Sequence, residues 1–274
     1  MSKRATSKRP ASKERTASAS SCAGRRYVAG VDGCRGGWCV AKAPLVESGD
    51  EGAPPRLGDV ELKVCPTWLD VVKWCRGCVR IAVDMPIGLP ERAEPGGRPF
   101  DRACRKLLRA PDGGPGRSSS VFSAPLRGVL KAKTYEEALA ISRASSEHNI
   151  GLSKQTWNIV PKIREIDEWM TPARARRVFE CHPEVVFAML NADEEGRPRA
   201  MDGRKVTADG RSFRWKLVRS QGVRERELRG SLAASADDVL DSLACVVGAS
   251  DCRLLRSIAG IGREHRVSVS PFAR

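Results

Sequence analysis

The sequence predicts an α/β domain, and three observations lead to that class. Short apolar runs recur at the lengths typical of buried strands. The first three runs follow one another with only turns and loops between them, and a helical segment precedes the fourth, which gives the order β-β-β-α-β. The chain has 274 residues, of which 41% are hydrophobic, so it can bury the core that such a domain needs.

The first part of the domain is predicted to supply four strands. The runs on either side of the glycine-rich turn 33–37 are expected to pair as a hairpin. Pro66 stands where a helix would start, and the apolar residues after it share one helical face. The predicted elements are strand Tyr27–Val31, strand Trp38–Ala43, strand Val60–Cys65, a helix over about 67–75 and strand Val79–Val83.

The second part is predicted to be mainly helical, with one further strand. Residues 91–160 are expected to form a helical insertion after the fourth strand. The predicted elements are helices Phe100–Arg109, Tyr135–Ala144 and Lys162–Met170, strand Arg176–Glu180, and helices Pro183–Leu190, Phe213–Ser220 and Asp237–Gly248. One domain is therefore expected over 26–262, with a disordered basic tail at 1–25 and a second tail at 263–274.

The charge of the chain suggests a polyanionic partner. The formal net charge is +15 and the pI is about 9.7. Residues 1–26 hold eight basic residues against one acid, so the remainder still carries +8. Nucleic acid is the most plausible partner of a protein with this charge.

The chain is expected to be a reduced, cytoplasmic protein without a membrane segment. No uncharged apolar run reaches about 18 residues, and the N-terminus lacks the apolar core of a secretory signal. Ten cysteines occur in a long chain, and many lie inside apolar runs, which favours buried thiols over disulfides. Cys75 and Cys78 are the only close pair. Zinc needs about four ligands, so buried side chains beside a turn are the favoured interpretation.

Four aspartates point to a metal site. Asp32 and Asp84 each end an apolar run, where a buried acid is costly unless it meets a cation or hydrogen-bond donors. Asp238 and Asp241 share one face of the last predicted helix. Each also has a structural alternative: a turn residue for Asp32, a cap for Asp84, and compensation of the helix dipole for the other two.

Taken together, these motifs resemble the domain of unknown function 429 family, whose members are classed as predicted nucleases of the ribonuclease H-like superfamily. The resemblance spans about 27–250. The matching segments, in family order, are Gly30–Trp38, Ile81–Pro90, Ser120–Pro125, Leu152–Trp157, Pro161–Glu165, Glu180–Glu184 and Asp237–Ala244.

The resemblance implies a five-stranded mixed sheet of order 3-2-1-4-5, flanked by helices, with strands 1, 4 and 5 parallel. Asp32 and Asp84 would then meet at the carboxyl ends of adjacent strands. The helix with Asp238 and Asp241 resembles the last acidic helix of Holliday-junction resolvases. These acids would hold two Mg²⁺ or Mn²⁺ ions, with Asp32 as the bridging ligand.

Further residues are candidates for supporting roles. Glu180, at the end of the fifth strand, would be an additional ligand or orient one, and His182 would carry a proton to the leaving group. The candidate phosphate contacts are Arg102, Arg105, Lys154, Gln155 and Lys162. Ordinary solvated charge is the alternative for each of them.

The expected function is a metal-dependent nuclease that acts on nucleic acid. Specific cleavage of RNA in hybrids is disfavoured, because the helix at about 67–75 offers only Asp70 where such enzymes carry a glutamate. Two alternatives remain. One is a non-catalytic nucleic-acid-binding or partner-binding protein on a degenerate nuclease fold. The other is an actin-like or sugar-kinase-like ATP-binding enzyme, which would need a second phosphate loop.

Overall fold

A computed structural model describes residues 26–46, 55–110, 112–114, 116–224 and 234–251. The tails expected at 1–25 and 263–274 lie outside the described residues. Within these ranges no helix combines the length and the apolar composition needed to cross a membrane.

The sheet has the predicted architecture. Its strands are β1 (Tyr27–Cys34), β2 (Gly37–Val46), β3 (Arg56–Leu57), β4 (Glu61–Cys65), β5 (Cys78–Val83) and β6 (Val178–Glu180). β1 pairs with β2 in antiparallel fashion and with β5 in parallel, β2 pairs with β4 in antiparallel fashion, and β5 pairs with β6 in parallel. The five predicted strands therefore have the order 3-2-1-4-5, which confirms the ribonuclease H-like mixed sheet.

β3 was not predicted. It lies between the second and third predicted strands, in a stretch whose prolines, glycines and acids indicate a loop, and it pairs with the end of β2 through Leu45 and Val46. β2 itself runs three residues past the predicted end at Ala43. This short edge pairing depends on the neighbouring strand β2, so the proline- and glycine-containing sequence of the stretch does not indicate it.

Seven α-helices are present in the described residues, and they lie on both faces of the sheet. They are α1 (Trp68–Trp74), α2 (Pro99–Leu107), α3 (Tyr135–Ala144), α4 (Lys154–Trp169), α5 (Pro183–Leu190), α6 (Ala208–Ser220) and α7 (Ala236–Ser250). Five of these helices begin with a hydroxyl residue whose side chain accepts a hydrogen bond from a backbone N–H of the first turn. These caps are Thr67 on α1, Thr134 on α3, Ser153 on α4, Thr207 on α6 and Ser235 on α7.

Two predicted helix starts were wrong. α4 was expected to begin at Lys162, but it begins at Lys154, because Ser153 supplies the cap and Pro161 is accommodated inside the helix. Buried Val160 and Ile163 on either side hold this helix against the core. α6 begins at Ala208 rather than Phe213, because Thr207 caps it within a stretch that looks irregular in the sequence.

The sheet separates two apolar cores. Side chains alternate along β1, so Val28 belongs to the core that contains α5 and α7, whereas Ala29 and Val31 belong to the core that contains α1 and α4. Asp32 is four residues from Val28 along the strand, so its side chain points to the same face of the sheet, the one that α7 covers.

Gly30 lets α7 lie directly on β1. A Cβ atom at this position would be 2.1 Å from the backbone nitrogen of Val246 and 2.2 Å from the backbone oxygen of Ser242. Backbone atoms cannot move aside without shifting the whole helix, so no other residue fits here. The close approach places the acidic first turns of α7 beside the end of β1.

Candidate functional site

The parallel pairing of β1 with β5 brings Asp32 and Asp84 to the same edge of the sheet. Val31 and Val83 are partners in the register, and each is followed directly by one of the two acids. The backbone N–H of Asp84 donates to the carbonyl of Val31 at 2.9 Å, which continues the pairing beyond the strand. The expected juxtaposition at the carboxyl ends of the strands is present.

α7 supplies the other two aspartates from its N-terminal half. Asp238 forms a capping box with Ser235: its carboxylate accepts from the Ser235 backbone N–H at 2.7 Å, while its own N–H donates to the Ser235 hydroxyl at 3.1 Å. Asp241 lies one turn further along and is buried, with 5% exposure. Asp238 lies in the first turn of α7, so the structural alternative for it, compensation of the helix dipole, is compatible with its position.

Burial and neighbouring acids raise the pKa values of Asp32, Asp84 and Asp241. Burial raises the pKa of Asp32 well above its usual range, and the charges of Asp84, Asp241 and Asp238 raise it further. Burial also raises the pKa of Asp84 to about 7, with Glu180 and Glu184 adding to the rise, and it raises the pKa of Asp241 to about 6. The acids thus act electrostatically as one cluster, and we use "carboxylate cluster" for Asp32, Asp84, Asp238 and Asp241.

Lys205 is the cation that faces the carboxylate cluster. Its Nζ lies 2.5 Å from Oδ2 of Asp241, and its charge lowers the pKa of Asp32, Asp84 and Asp241. Burial alone would lower the pKa of Lys205, but the neighbouring carboxylates of Asp241, Asp84 and Asp32 raise it overall. This residue was not predicted, because it lies in a polar stretch of the sequence without helical or strand periodicity.

Glu180 is held by an arginine from the insertion. Its carboxylate accepts from Arg98 at 2.6 and 2.8 Å and from the backbone N–H of Ile87 at 2.9 Å. Arg98 is buried, and it also pairs with Asp101 at 2.6 Å. These contacts join α2 to the end of β6, and we therefore leave Glu180 out of the proposed ligand set.

His182 is half-buried and Glu184 is buried at the start of α5. Burial lowers the pKa of His182, so its imidazole is neutral at neutral pH; Nε2 lies 3.3 Å from the Ser120 carbonyl, and Nδ1 has no hydrogen-bond partner. Glu184 accepts two hydrogen bonds from the buried Arg214, at 2.9 and 2.8 Å. The proton-transfer role of His182 stays a prediction.

The candidate phosphate contacts on α2 bind groups of the protein itself. Arg102 pairs with Glu94 at 3.2 Å and donates to the carbonyl of Gly97. Arg105 donates to the Val121 carbonyl at 3.0 Å and to the Ser123 hydroxyl at 2.8 Å. Both arginines thus tie the loops of the insertion together.

The candidates on α4 are spread along the helix. Lys154 lies over the ring of Tyr135, 5.8 Å from its centroid, at the start of the helix, and Gln155 beside it is exposed. Lys162 donates to the Gly37 carbonyl at 2.5 Å and lies over the ring of Trp38. The structure therefore does not gather the five predicted phosphate contacts around the acids.

The donor set fits a hard divalent cation by its chemistry. Carboxylate oxygens are the preferred ligands of Mg²⁺ and Mn²⁺, and the cluster presents acids from β1, β5 and α7. As placed, no three His, Cys, Asp or Glu side chains among the described residues are grouped closely enough to hold a metal ion. Cys75 and Cys78 are buried and hydrogen-bonded to each other at the turn between α1 and β5, as the favoured interpretation expected.

Comparison with known proteins identifies a family. The family model described as "Protein of unknown function (DUF429)" matches residues 30–255 of the chain. No curated protein matches the chain. Among solved structures the chain is similar to the "Thermus thermophilus RuvC structure", with 13% sequence identity over 85% of this chain and 95% of that chain, and a TM-score of 0.29. A TM-score of this size does not establish a shared fold, so the fold assignment rests on the sheet topology.

Proposed function

The chain belongs to the DUF429 family, and we propose that it is a divalent-metal-dependent nuclease that hydrolyses phosphodiester bonds. The observation that carries this proposal is the carboxylate cluster, in which acids from β1, β5 and α7 meet at the carboxyl edge of the sheet. The net charge of +15 supports a polyanionic substrate.

The charge balance of the cluster favours a bound cation. Asp32 and Asp241 are 7% and 5% exposed, and the pKa values of Asp32, Asp84 and Asp241 are all raised. Raised values mean that ionised acids at these positions cost free energy in the folded protein. Lys205 supplies one positive charge against them. A divalent cation would supply the compensation that is still lacking.

Each acid has a distinct place in the proposed centre. Asp32 lies on β1, which pairs with β5 and packs under α7, and the charges of Asp84, Asp241 and Asp238 all act on it, so it is proposed as the bridging ligand. Asp84, Asp241 and the partly exposed Asp238 would complete the set. A pair of Mg²⁺ or Mn²⁺ ions, when bound, supplies Lewis-acid stabilisation of the attacking and leaving oxygens of a phosphodiester.

The protein's own groups fix the geometry of these ligands. Gly30 sets the distance of α7 from β1, and the pairing of β1 with β5 sets the spacing of the two strand-end acids. Glu180 and Glu184, whose charges act on Asp84, are engaged by Arg98 and by the buried Arg214. These ion pairs fix the elements around the cluster, and they leave neither glutamate as a free carboxylate for the ions. Preorganisation of this kind is what two-metal hydrolysis requires from a protein.

The alternative functions make different demands on the structure. A protein that binds nucleic acid without cleaving it has no need of a buried carboxylate cluster, which repels phosphate unless a cation covers it. An actin-like or sugar-kinase-like enzyme needs two related domains, whereas the described residues form a single sheet. The nuclease proposal is therefore the one that uses the observed cluster.

A cleavage assay with matched variants tests the proposal. Purified protein is incubated with Mn²⁺ or Mg²⁺ and labelled single-stranded DNA, double-stranded DNA, RNA, RNA–DNA hybrid and a branched junction. Metal-dependent cleavage of at least one substrate is expected, with loss of activity in Asp84→Asn. Asp202→Asn, which changes an exposed aspartate outside the cluster, should cleave normally.

Two results would contradict the nuclease proposal. Equal cleavage by wild-type protein and Asp84→Asn would place the activity elsewhere. Binding of a panel member in EDTA, without cleavage in either metal, would favour the non-catalytic alternative.

A further inference from the structure

Lys205 approaches the carboxylate cluster from a segment outside the sheet. The turn that precedes α6 fixes its backbone, because the N–H and the hydroxyl of Thr207 both donate to the Arg204 carbonyl, at 3.1 and 2.8 Å. From this turn the Lys205 side chain reaches Asp241 on α7, with its ammonium 2.5 Å from the carboxylate. The contact joins groups 36 positions apart in the sequence.

The two partners differ in how they are held. The side chain of Asp241 is 7% exposed on a helix that packs directly against β1, whereas the side chain of Lys205 is 34% exposed. Arg204 and Val206 on either side are exposed. The acid is therefore fixed, and the lysine has a solvent-facing route away from it along a flexible four-carbon stem.

We propose that Lys205 is a built-in counter-cation of the carboxylate cluster, which a divalent cation must displace in order to bind. This inference rests on the metal site of the proposed function. Lys205 would lower the affinity of the site for metal, because its ammonium competes with the divalent cation for carboxylate oxygen.

Competition follows from the chemistry of the shared carboxylate. Oδ2 of Asp241, which accepts from the Lys205 ammonium, is one of the two oxygens that this carboxylate can offer to a metal ion. An ammonium and a divalent cation side by side would also repel each other in a poorly solvated site. The cluster can therefore hold Lys205 or the divalent cation at this position, but not both.

Removal of the lysine should consequently strengthen metal binding. Mn²⁺ is titrated into the full chain by isothermal calorimetry, with Lys205→Met compared with wild-type protein. We expect the dissociation constant for Mn²⁺ to fall at least tenfold in the variant. Arg204→Met removes the same charge from the adjacent exposed position and should leave the constant within about a factor of two.

Thermal unfolding gives a second readout that does not depend on catalysis. In EDTA, Lys205→Met should unfold at a lower temperature than wild-type protein, because the buried acids lose their counter-cation. In saturating Mn²⁺ the difference should disappear. Lys205→Gln, which keeps a hydrogen-bond donor without the charge, should behave in the same way and serves if the methionine variant does not fold.

The outcomes separate this inference from the proposed function. Mn²⁺ binding that is unchanged or weaker in the lysine variants, with wild-type protein binding normally, would overturn the counter-cation role and leave the metal site intact. Absence of Mn²⁺ binding by wild-type protein and variants alike would remove the metal site, and with it both proposals.

Discussion

Replacing Asp84 with asparagine is expected to stabilise the folded protein at pH 8 when divalent cations are removed. The pKa of Asp84 is raised from 3.8 to about 7, mainly by burial. The folded protein therefore holds the Asp84 proton more tightly than the unfolded chain does. Stability from this group is fully present below about pH 4, where both states are protonated, and it is lost as the pH rises to about 7.

The size of the effect follows from the pKa difference. Each pKa unit corresponds to about 1.36 kcal/mol, so the change from 3.8 to about 7 amounts to roughly 4 kcal/mol at pH 8. Relaxation and water entry reduce such values, so we expect a stabilisation of about 2 to 4 kcal/mol in Asp84→Asn at this pH. At pH 5 most of the penalty is absent, and the gain should fall to about 1 kcal/mol.

Urea denaturation in EDTA measures this gain. Unfolding is followed by tryptophan fluorescence at pH 5 and pH 8, for wild-type protein, Asp84→Asn and the exposed control Asp202→Asn. An asparagine variant that is no more stable than wild-type protein at pH 8, or a gain that does not grow with pH, would refute the buried-acid reasoning. A stabilised variant without nuclease activity would also show that loss of cleavage is not loss of folding.

Three further predictions concern the surroundings of the site. Gly30→Ala places a Cβ against the backbone of α7; it should reduce the free energy of unfolding by about 3 kcal/mol or more in urea titrations, and a loss under about 1 kcal/mol would contradict the close packing. Arg98→Met removes the guanidinium that pairs with the part-buried Glu180 and the buried Asp101 and should cost about 3–5 kcal/mol in the same assay. Arg102→Met, at an exposed pair with Glu94, should cost under about 1 kcal/mol. Mn²⁺ affinity should rise between pH 5 and pH 8, because the Asp84 and Asp241 carboxylates, with pKa values of about 7 and 6, must lose protons to bind; a flat calorimetric pH profile would exclude them as ligands.

The acids of the site could be predicted because each stands next to a run with a clear period. Asp32 and Asp84 end the buried apolar runs of two strands that pair in parallel, and Asp241 lies on a helix whose packing on β1 brings it to the same edge. The strand order was implied by the family resemblance, and the predicted order β-β-β-α-β agrees with it. Such positions are fixed by local pattern and by the parallel pairing of two strands.

Other features depend on contacts between distant parts of the chain. Lys205 lies in a polar stretch, and nothing in its neighbourhood indicates that it faces Asp241. Glu180 looks like a strand-end ligand, but Arg98, 82 positions away, neutralises it. The predicted start of α4 at Lys162 directly follows Pro161, whereas in the structure the cap at Ser153 and tertiary packing outweigh the hydrogen bond that Pro161 cannot make.

The position of α7 in the chain has a consequence for folding during synthesis. This helix packs on both β1 and β2, and the contact of Cys39 on β2 with Ser242 on α7 joins residues 203 positions apart. At ribosomal rates a segment of that length takes roughly 10 to 40 s to appear. Throughout this interval the sheet face at Gly30 lacks the helix that covers it in the folded protein. Asp238 and Asp241 join Asp32 and Asp84 only when α7 has been made and has packed on the sheet.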